Sequence, residues 1–336
     1  MSIRPGSPAG GPSSGLHRGI DEDETQPYSD EFPVLPGGSR GSADRFLEAF
    51  VPTNVDEKDE TRVFAVISDI HGNLEALEVA LADIDRRGIK MIYCLGDIIG
   101  YGASPRQCLD YVIERCELYL CGNHDQAVFY EPTNFNIGAE RAAYWTRQVL
   151  EDEPNKNRRD RRWEALGRMP MRAEVNGLLF VHASPRRPIN EYLFPEDVYT
   201  NPSKILDNFK RLEDRHMACL VGHTHVPGVF LDDPCFDPPD ELPEMSIYSI
   251  TSDEKAIINV GSIGQPRDRD PRLCYAVVYQ KGEAPEGYDP PAVGETEYLA
   301  TLEFVRLEYD IEKAARKIYE TPELDDFLGT RLFEGR

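Results

Sequence analysis

Five apolar, β-branched or aromatic runs in this chain each stop at a short polar motif: "VFAVISDIHGN", "MIYCLGDIIGYG", "LYLCGNHD", "LLFVHASP" and "ACLVGHTHVPG". Runs of this length and composition read as buried strands, so the motifs mark strand ends. On an extended backbone, side chains two apart face the same way. Asp69 and His71 form one such pair, and His223 and His225 another. The chain has seven histidines, and five of them (His71, His124, His182, His223 and His225) stand in these motifs. A sheet whose strand ends gather imidazoles and carboxylates along one edge accommodates the whole pattern.

The segments between the motifs complete the layout. "GNLEALEVALADIDRRG" repeats Leu74, Leu77, Leu81 and Ile84 at helical spacing. "SPRQCLDYVIERC" opens with Ser104 as cap, Pro105 at the first helical position and Gln107 to complete a capping box. A mostly helical stretch follows from about Ala139 to Leu166. Its "NRRDRRWEAL" interleaves four arginines with acids and reads as a solvated face. From Met171 onward strands dominate: "RAEV", "LLFVHAS", "CLVGHTH", "GVFLD", "SIYSI", "AIINVGS" and "LCYAVVYQ", with "DDPCFDPPDELPE" as an acidic, proline-rich surface insertion. Alternating β-α units followed by a strand-rich half predict an α/β fold, two mixed β-sheets packed as a sandwich and flanked by helices.

Residues 1–61 carry twelve Asp/Glu against five Lys/Arg and are rich in Gly, Pro and Ser. Such composition buries too little apolar surface to offset ordering entropy, so this segment is expected to be a disordered acidic tail, with one folded domain over residues 62–336. The formal net charge of -23 argues against a general polyanion binder, nucleic acid included. No apolar stretch is long enough for a signal peptide or a membrane span. The seven cysteines form an odd set without a C-x-x-C pair and read as reduced. The expected compartment is the cytoplasm. No feature assigns an oligomeric state.

Imidazoles and carboxylates converging from several loops suit two divalent ions sharing a bridge. The order D-x-H, G-D, G-N-H-D, a lone His and then G-H-x-H resembles the calcineurin-like metallophosphoesterase superfamily. "GDIIGYG", "VHASPRRPINEYL", "NVGSIGQPRDRDPR" and the tail "YDIEKAARKIYE" resemble its small bacterial and archaeal branch, related to diadenosine tetraphosphatase. The resemblance runs from about Arg62 to the end of the chain. It implies one metal on Asp69, His71, bridging Asp97 and His225, and another on Asp97, Asn123, His182 and His223. Mixed N/O ligands of this kind suit Mn, Fe, Co, Ni or Zn.

The implied activity is hydrolysis of a small phosphodiester or phosphomonoester by a hydroxide bridging the two metals. His124 would protonate the leaving oxygen, and Asp125 would orient His124. Arg267, and Arg186 or Arg187, are candidates for phosphate contact, since guanidinium suits bidentate oxyanion binding. Protein Ser/Thr phosphatases and symmetrical dinucleoside tetraphosphate hydrolases usually carry an Arg shortly after the G-D motif. Here Ile98, Ile99, Gly100 and Tyr101 follow, which places those two substrates behind a small phosphoester. A noncatalytic scaffold that binds a partner through the same surface is the reading from a different class, and loss of ligands would favour it. Every ligand position is present.

Overall fold

The computed structural model describes residues 62–243, 246–280, 282–289 and 297–336; the tail expected over residues 1–61 lies outside them. Two six-stranded sheets form the centre. The first runs, in spatial order, β3 (Leu118–Tyr119), β2 (Met91–Cys94), β1 (Val63–Ile67), β11 (Leu273–Gln280), β12 (Tyr298–Leu307) and β9 (Ile247–Thr251). The second runs β4 (Arg172–Val175), β5 (Leu178–Val181), β6 (Ala218–Val221), β10 (Ala256–Asn259), β7 (Gly228–Leu231) and β8 (Cys235–Asp237). The strands that precede the motifs pair in parallel, β1 with β2 and β2 with β3 in one sheet and β5 with β6 in the other.

Alternation along β1 explains the layering. Phe64 and Val66 point into the space between the sheets, where they join Phe180, Leu220, Ile258, Ala276 and Val278. Ala65 and Ile67 point the other way, onto Leu77, Leu81 and Ile84 of helix α1 (Leu74–Arg86). The outer face of the second sheet does the same with Leu179, Val181 and Ile257, which pack with Ile205 and Phe209 of a helix at Pro202–Phe209. The result is an αββα sandwich. Full burial of each Phe, Val, Ile or Leu contributes about 1.5–3 kcal/mol, enough to fix the strand ends from which the motifs leave.

Several local expectations are corrected. Ser104 precedes α2 (Pro105–Arg115) but makes no side-chain cap bond; its hydroxyl accepts from Lys317 Nζ at 3.1 Å instead. After α3 (Asn123–Phe129), the single stretch expected over 139–166 is two helices, α4 (Ile137–Glu151) and α5 (Lys156–Arg168). Pro154 breaks it, and Asn155 caps the second helix by accepting from Arg158 N at 3.1 Å. Within "NRRDRRWEAL" Arg162 is not solvated: it is 3% exposed and bonds Asp110 through two nitrogens and Glu153 through a third. The acidic insertion contains β8, an edge strand on β7, followed by Pro238 and Pro239, which suit a sheet edge.

Candidate metal centre

Each motif leaves the end of a strand, and the five loops meet. Asp69 and His71 follow β1, Asp97 follows β2, Asn123 opens α3 after β3, His182 follows β5, and His223 and His225 follow β6. Five of these residues have left-handed backbone: Asp69 (φ 53°), His71 (48°), Asp97 (53°), His223 (66°) and His225 (61°). Asp and His tolerate that region better than most side chains, yet each instance costs on the order of 1–3 kcal/mol. Bonds between the loops offset it: Asp69 N to Gly96 O at 3.0 Å, His71 N to Asp97 O at 2.9 Å and Gly264 N to Asp69 O at 2.9 Å.

Two glycines are set by close approach. A Cβ at Gly122 would collide with Asp97 Oδ1, and one at Gly222 with Asp69 Oδ2. Gly122→Ala is therefore expected to displace Asp97 and weaken metal binding by about 10–100-fold, the usual cost of disturbing a group that positions a ligand. Metal titration of the variant checks this, and an affinity equal to wild type would contradict it.

The side chains form two buried groups, Asp69, His71, Asp97 and His225 in one and Asp97, His182 and His223 in the other; within each, donor atoms lie within 4.8 Å of one another. Asn123 joins the second, its Oδ1 being 3.2 Å from His182 Nε2. Asp97 belongs to both through a single oxygen. Its Oδ2 is 3.5 Å from His71 Nε2 and 3.4 Å from His182 Nε2, whereas Oδ1 accepts the His124 main-chain N–H at 2.8 Å.

Ring orientation is fixed from outside. His225 Nδ1 donates to Gln265 O at 2.5 Å and His182 Nδ1 to Leu95 O at 3.1 Å, which turns both Nε2 atoms inward. Inside, His225 Nε2 faces His71 Nε2 at 3.1 Å, and His182 Nε2 faces His223 Nδ1 at 3.2 Å and the Asn123 oxygen. Ring nitrogens and oxygens gathered this closely are held together by shared protons or by a cation that replaces them. Two ligands each about 2.0–2.1 Å from one ion lie roughly 3–3.4 Å apart, which is the spacing found. The donor set therefore fits divalent ions.

Electrostatics separate the ligands. Burial lowers His71, His223 and His225 below the usual imidazole range. Burial also works against the charged form of His182, but the carboxylates of Asp97, Asp69 and Asp125 outweigh it and raise this imidazole to about 9. An incoming ion must then displace the His182 proton at neutral pH. Affinity is expected to rise with pH up to about 9, by roughly tenfold per unit. In chelator-treated protein the same raised value adds stability below the unfolded imidazole range of about 6.5, and that contribution is lost as pH climbs through about 9. Titrations at three pH values between these limits check the slope; a flat profile would contradict it.

Around the ligands stand the other candidates. His124 is buried, its ring packed on His71 at 4.8 Å, Tyr101 at 4.3 Å and Phe135 at 4.7 Å. Asp125 does not reach that ring. Its carboxylate accepts the main-chain N–H groups of Asp97, Ile98, Ile99 and Gly122, and so holds the Asp97 loop to the start of α3. Arg267 lies 5.9 Å over the Tyr101 ring and donates to Gln265 Oε1 at 2.9 Å. Arg186 is engaged with Glu191 and Asp207, and Arg187 is exposed. Sequence reasoning missed Tyr101, which also packs on His71 at 4.7 Å, and Tyr192, stacked on His223 at 3.9 Å. A tyrosine shortly after a ligand motif ("GDIIGYG", "VHASPRRPINEYL") was the available signal.

A sandwich of this layout with two ligand groups sharing an aspartate at its strand ends is the architecture of a metallophosphoesterase. The chain belongs to the calcineurin-like phosphoesterase superfamily, whose domain profile matches residues 63–283. It is 37% identical over 281 residues to an uncharacterized protein of Methanocaldococcus jannaschii, spanning 82% of this chain and 98% of that one. It is also similar to a crystal structure of a metallophosphoesterase from Sphaerobacter thermophilus, with 32% identity, a TM-score of 0.61, and coverage of 82% of this chain and all of that one. No helix among the described residues is long and apolar enough to cross a membrane.

Proposed function

We propose that the protein is a phosphoesterase that uses two divalent ions to hydrolyse a small phosphomonoester or phosphodiester. The observation that carries this reading is the single oxygen, Asp97 Oδ2, facing one histidine of each ligand group. When bound, two such ions acidify a water for attack on phosphorus and neutralise the phosphoryl oxygens.

The chain's own residues do the rest. Asp69, His71 and His225 define one side of the centre, Asn123, His182 and His223 the other, and Asp97 ties them. Asp125 fixes the Asp97 loop through main-chain amides, a positioning role in place of the expected contact to His124. His124 is the proton donor to the leaving oxygen. Burial first, then Arg267 and the neighbouring histidines, lower its imidazole to about 4 against the pull of Asp97. A phosphoester dianion beside it opposes that shift and favours the protonated form. Arg267, whose Nε is buried without a hydrogen-bond partner, is placed to receive a phosphoryl oxygen.

The substrate in this reading is a small phosphoester. The seven cysteines are free and five are buried, which supports a reducing compartment, and we place the protein in the cytoplasm. Chelator-treated protein reconstituted with Mn, Fe, Co, Ni or Zn and offered a panel of aryl and nucleotide phosphoesters tests the proposal. Turnover dependent on added ion is expected. No turnover with any of them would favour the noncatalytic scaffold.

A further inference from the structure

A proton donor must be held in one orientation, and a functional imidazole is usually oriented by a hydrogen bond at its far ring nitrogen. His182 and His225 follow that rule through Leu95 O and Gln265 O. His124 does not. Among the described residues its buried Nδ1 has no hydrogen-bond partner, and the Asp125 carboxylate beside it is spent on the amides of Asp97, Ile98, Ile99 and Gly122. Something other than a hydrogen bond fixes this ring.

Packing takes its place. Gly100 (φ 92°) approaches so closely that a Cβ there would stand 2.6 Å from His124 Nδ1, so that nitrogen faces main chain and Nε2 is left to meet a leaving oxygen. The Tyr101 ring lies 4.3 Å from the His124 ring at 53°, and the Phe135 ring 4.7 Å from it at 50°. The same tyrosine ring is 4.7 Å from His71 and has the Arg267 guanidinium 5.9 Å over it. It thus borders an ion ligand, the proton donor and the candidate phosphate contact.

The backbone shows that this placement is specified. Tyr101 has φ 61°, a region that bulky side chains rarely enter, and it is the one Phe, Tyr or Trp found there among the described residues. Asp69, His71, Asp97, His223 and His225 share that conformation, and all five are ligand candidates. A tyrosine that only filled the core could take ordinary backbone, whereas one held in the left-handed region needs surroundings that over-determine it. They are present. Gly102 N donates to His71 O at 2.8 Å and Ser104 N to Gly72 O at 2.9 Å, while Tyr101 itself, 7% exposed, packs in a cluster with Ala139 and Ala142 of α4.

We propose that Tyr101 is a positioning residue for proton transfer: its ring, with that of Phe135, holds His124 in the orientation from which Nε2–H gives its proton to the leaving oxygen as the P–O bond breaks. The inference rests on the phosphoesterase reading above and adds to it a residue that acts through His124. The aromatic ring carries the role and the hydroxyl does not.

Crystal structures and kinetics of full-length, Mn-loaded variants test it. In Tyr101→Leu the His124 ring is expected to leave its single orientation with both ions retained. Its kcat on a nucleotide ester should fall about 10–100-fold, and on p-nitrophenyl phosphate about threefold or less, because an aryl oxygen needs little protonation. Tyr101→Phe, which keeps the ring, should match wild type on both. In a His124→Ala background Tyr101→Leu should cost less than about threefold more on the nucleotide ester, since nothing is left there to position. Equal kcat losses on the two esters, a full additional loss in the His124→Ala background, or an unmoved His124 ring in Tyr101→Leu would overturn the assignment. The two readings fail separately. A His124 ring displaced in Tyr101→Leu, in a protein whose wild type hydrolyses neither ester, keeps the positioning of His124 and defeats the phosphoesterase, whereas an active wild type matched by Tyr101→Leu on both esters does the reverse. If Tyr101→Leu does not fold, Phe135→Leu carries the same comparison with a smaller expected loss.

Discussion

Asp97→Asn is expected to strip the centre of both ions and to reduce turnover by about 10³-fold or more, since the ions supply several kcal/mol of charge stabilisation. The reason is in the two oxygens of Asp97. Oδ1 is already committed to the His124 main-chain N–H at 2.8 Å, and that donor requires an acceptor. An asparagine in the same place keeps its oxygen there and turns its NH₂ toward the position of Oδ2, between His71 and His182. A carboxylate oxygen that faces both groups becomes a donor that repels cations from both. Metal analysis of the purified variant should find well under one equivalent where two are expected for wild type; two retained equivalents would defeat the shared-oxygen assignment.

His124→Ala is expected to behave in the opposite way, keeping both ions and losing turnover on the order of 10²–10⁴-fold, the range for one acid-base residue. The metal site survives because its link to His124 is the main-chain N–H on Asp97, which alanine retains. The loss should follow the leaving group. An aryl phosphate departs as a stabilised anion and needs little protonation, whereas an alkyl or ribosyl oxygen needs much more. The variant should therefore be less impaired on p-nitrophenyl phosphate than on a nucleotide ester. His225→Ala should be impaired on both, because His225 stands 3.2 Å from Asp69 and 3.1 Å from His71 inside one ligand group. Equal losses for His124→Ala on the two leaving groups, with metals intact, would move His124 from proton transfer to binding of phosphoryl oxygens.

Much of the centre was legible in the sequence because five of the seven histidines, with Asp69, Asp97 and Asn123, stand where apolar runs end. The seven ligand candidates stand together in the structure, and the strands that deliver them are short apolar runs with sharp polar ends. What was hidden depends on contacts between distant segments. Strand β12, "YLATLEFVRL", carries Glu303 and Arg306 and was not read as a strand; in the fold Glu303 pairs with Arg87 and Tyr279, and Arg306 with Asp268. Asp125 looked like a partner of its neighbour His124, yet its carboxylate turns back onto amides 26 to 28 residues earlier. Arg186 and Arg267 were indistinguishable as strings. Glu191 and Asp207 occupy the first, and only packing leaves the second beside the centre.

Anomalous diffraction from Mn-soaked crystals would show whether two ions share one oxygen of Asp97. Two peaks about 3.5–4 Å apart are expected. One should lie among Asp69, His71 and His225, the other among Asn123, His182 and His223, with Asp97 Oδ2 between them. A single peak at full Mn occupancy, or two peaks of which only one contacts Asp97, would contradict it.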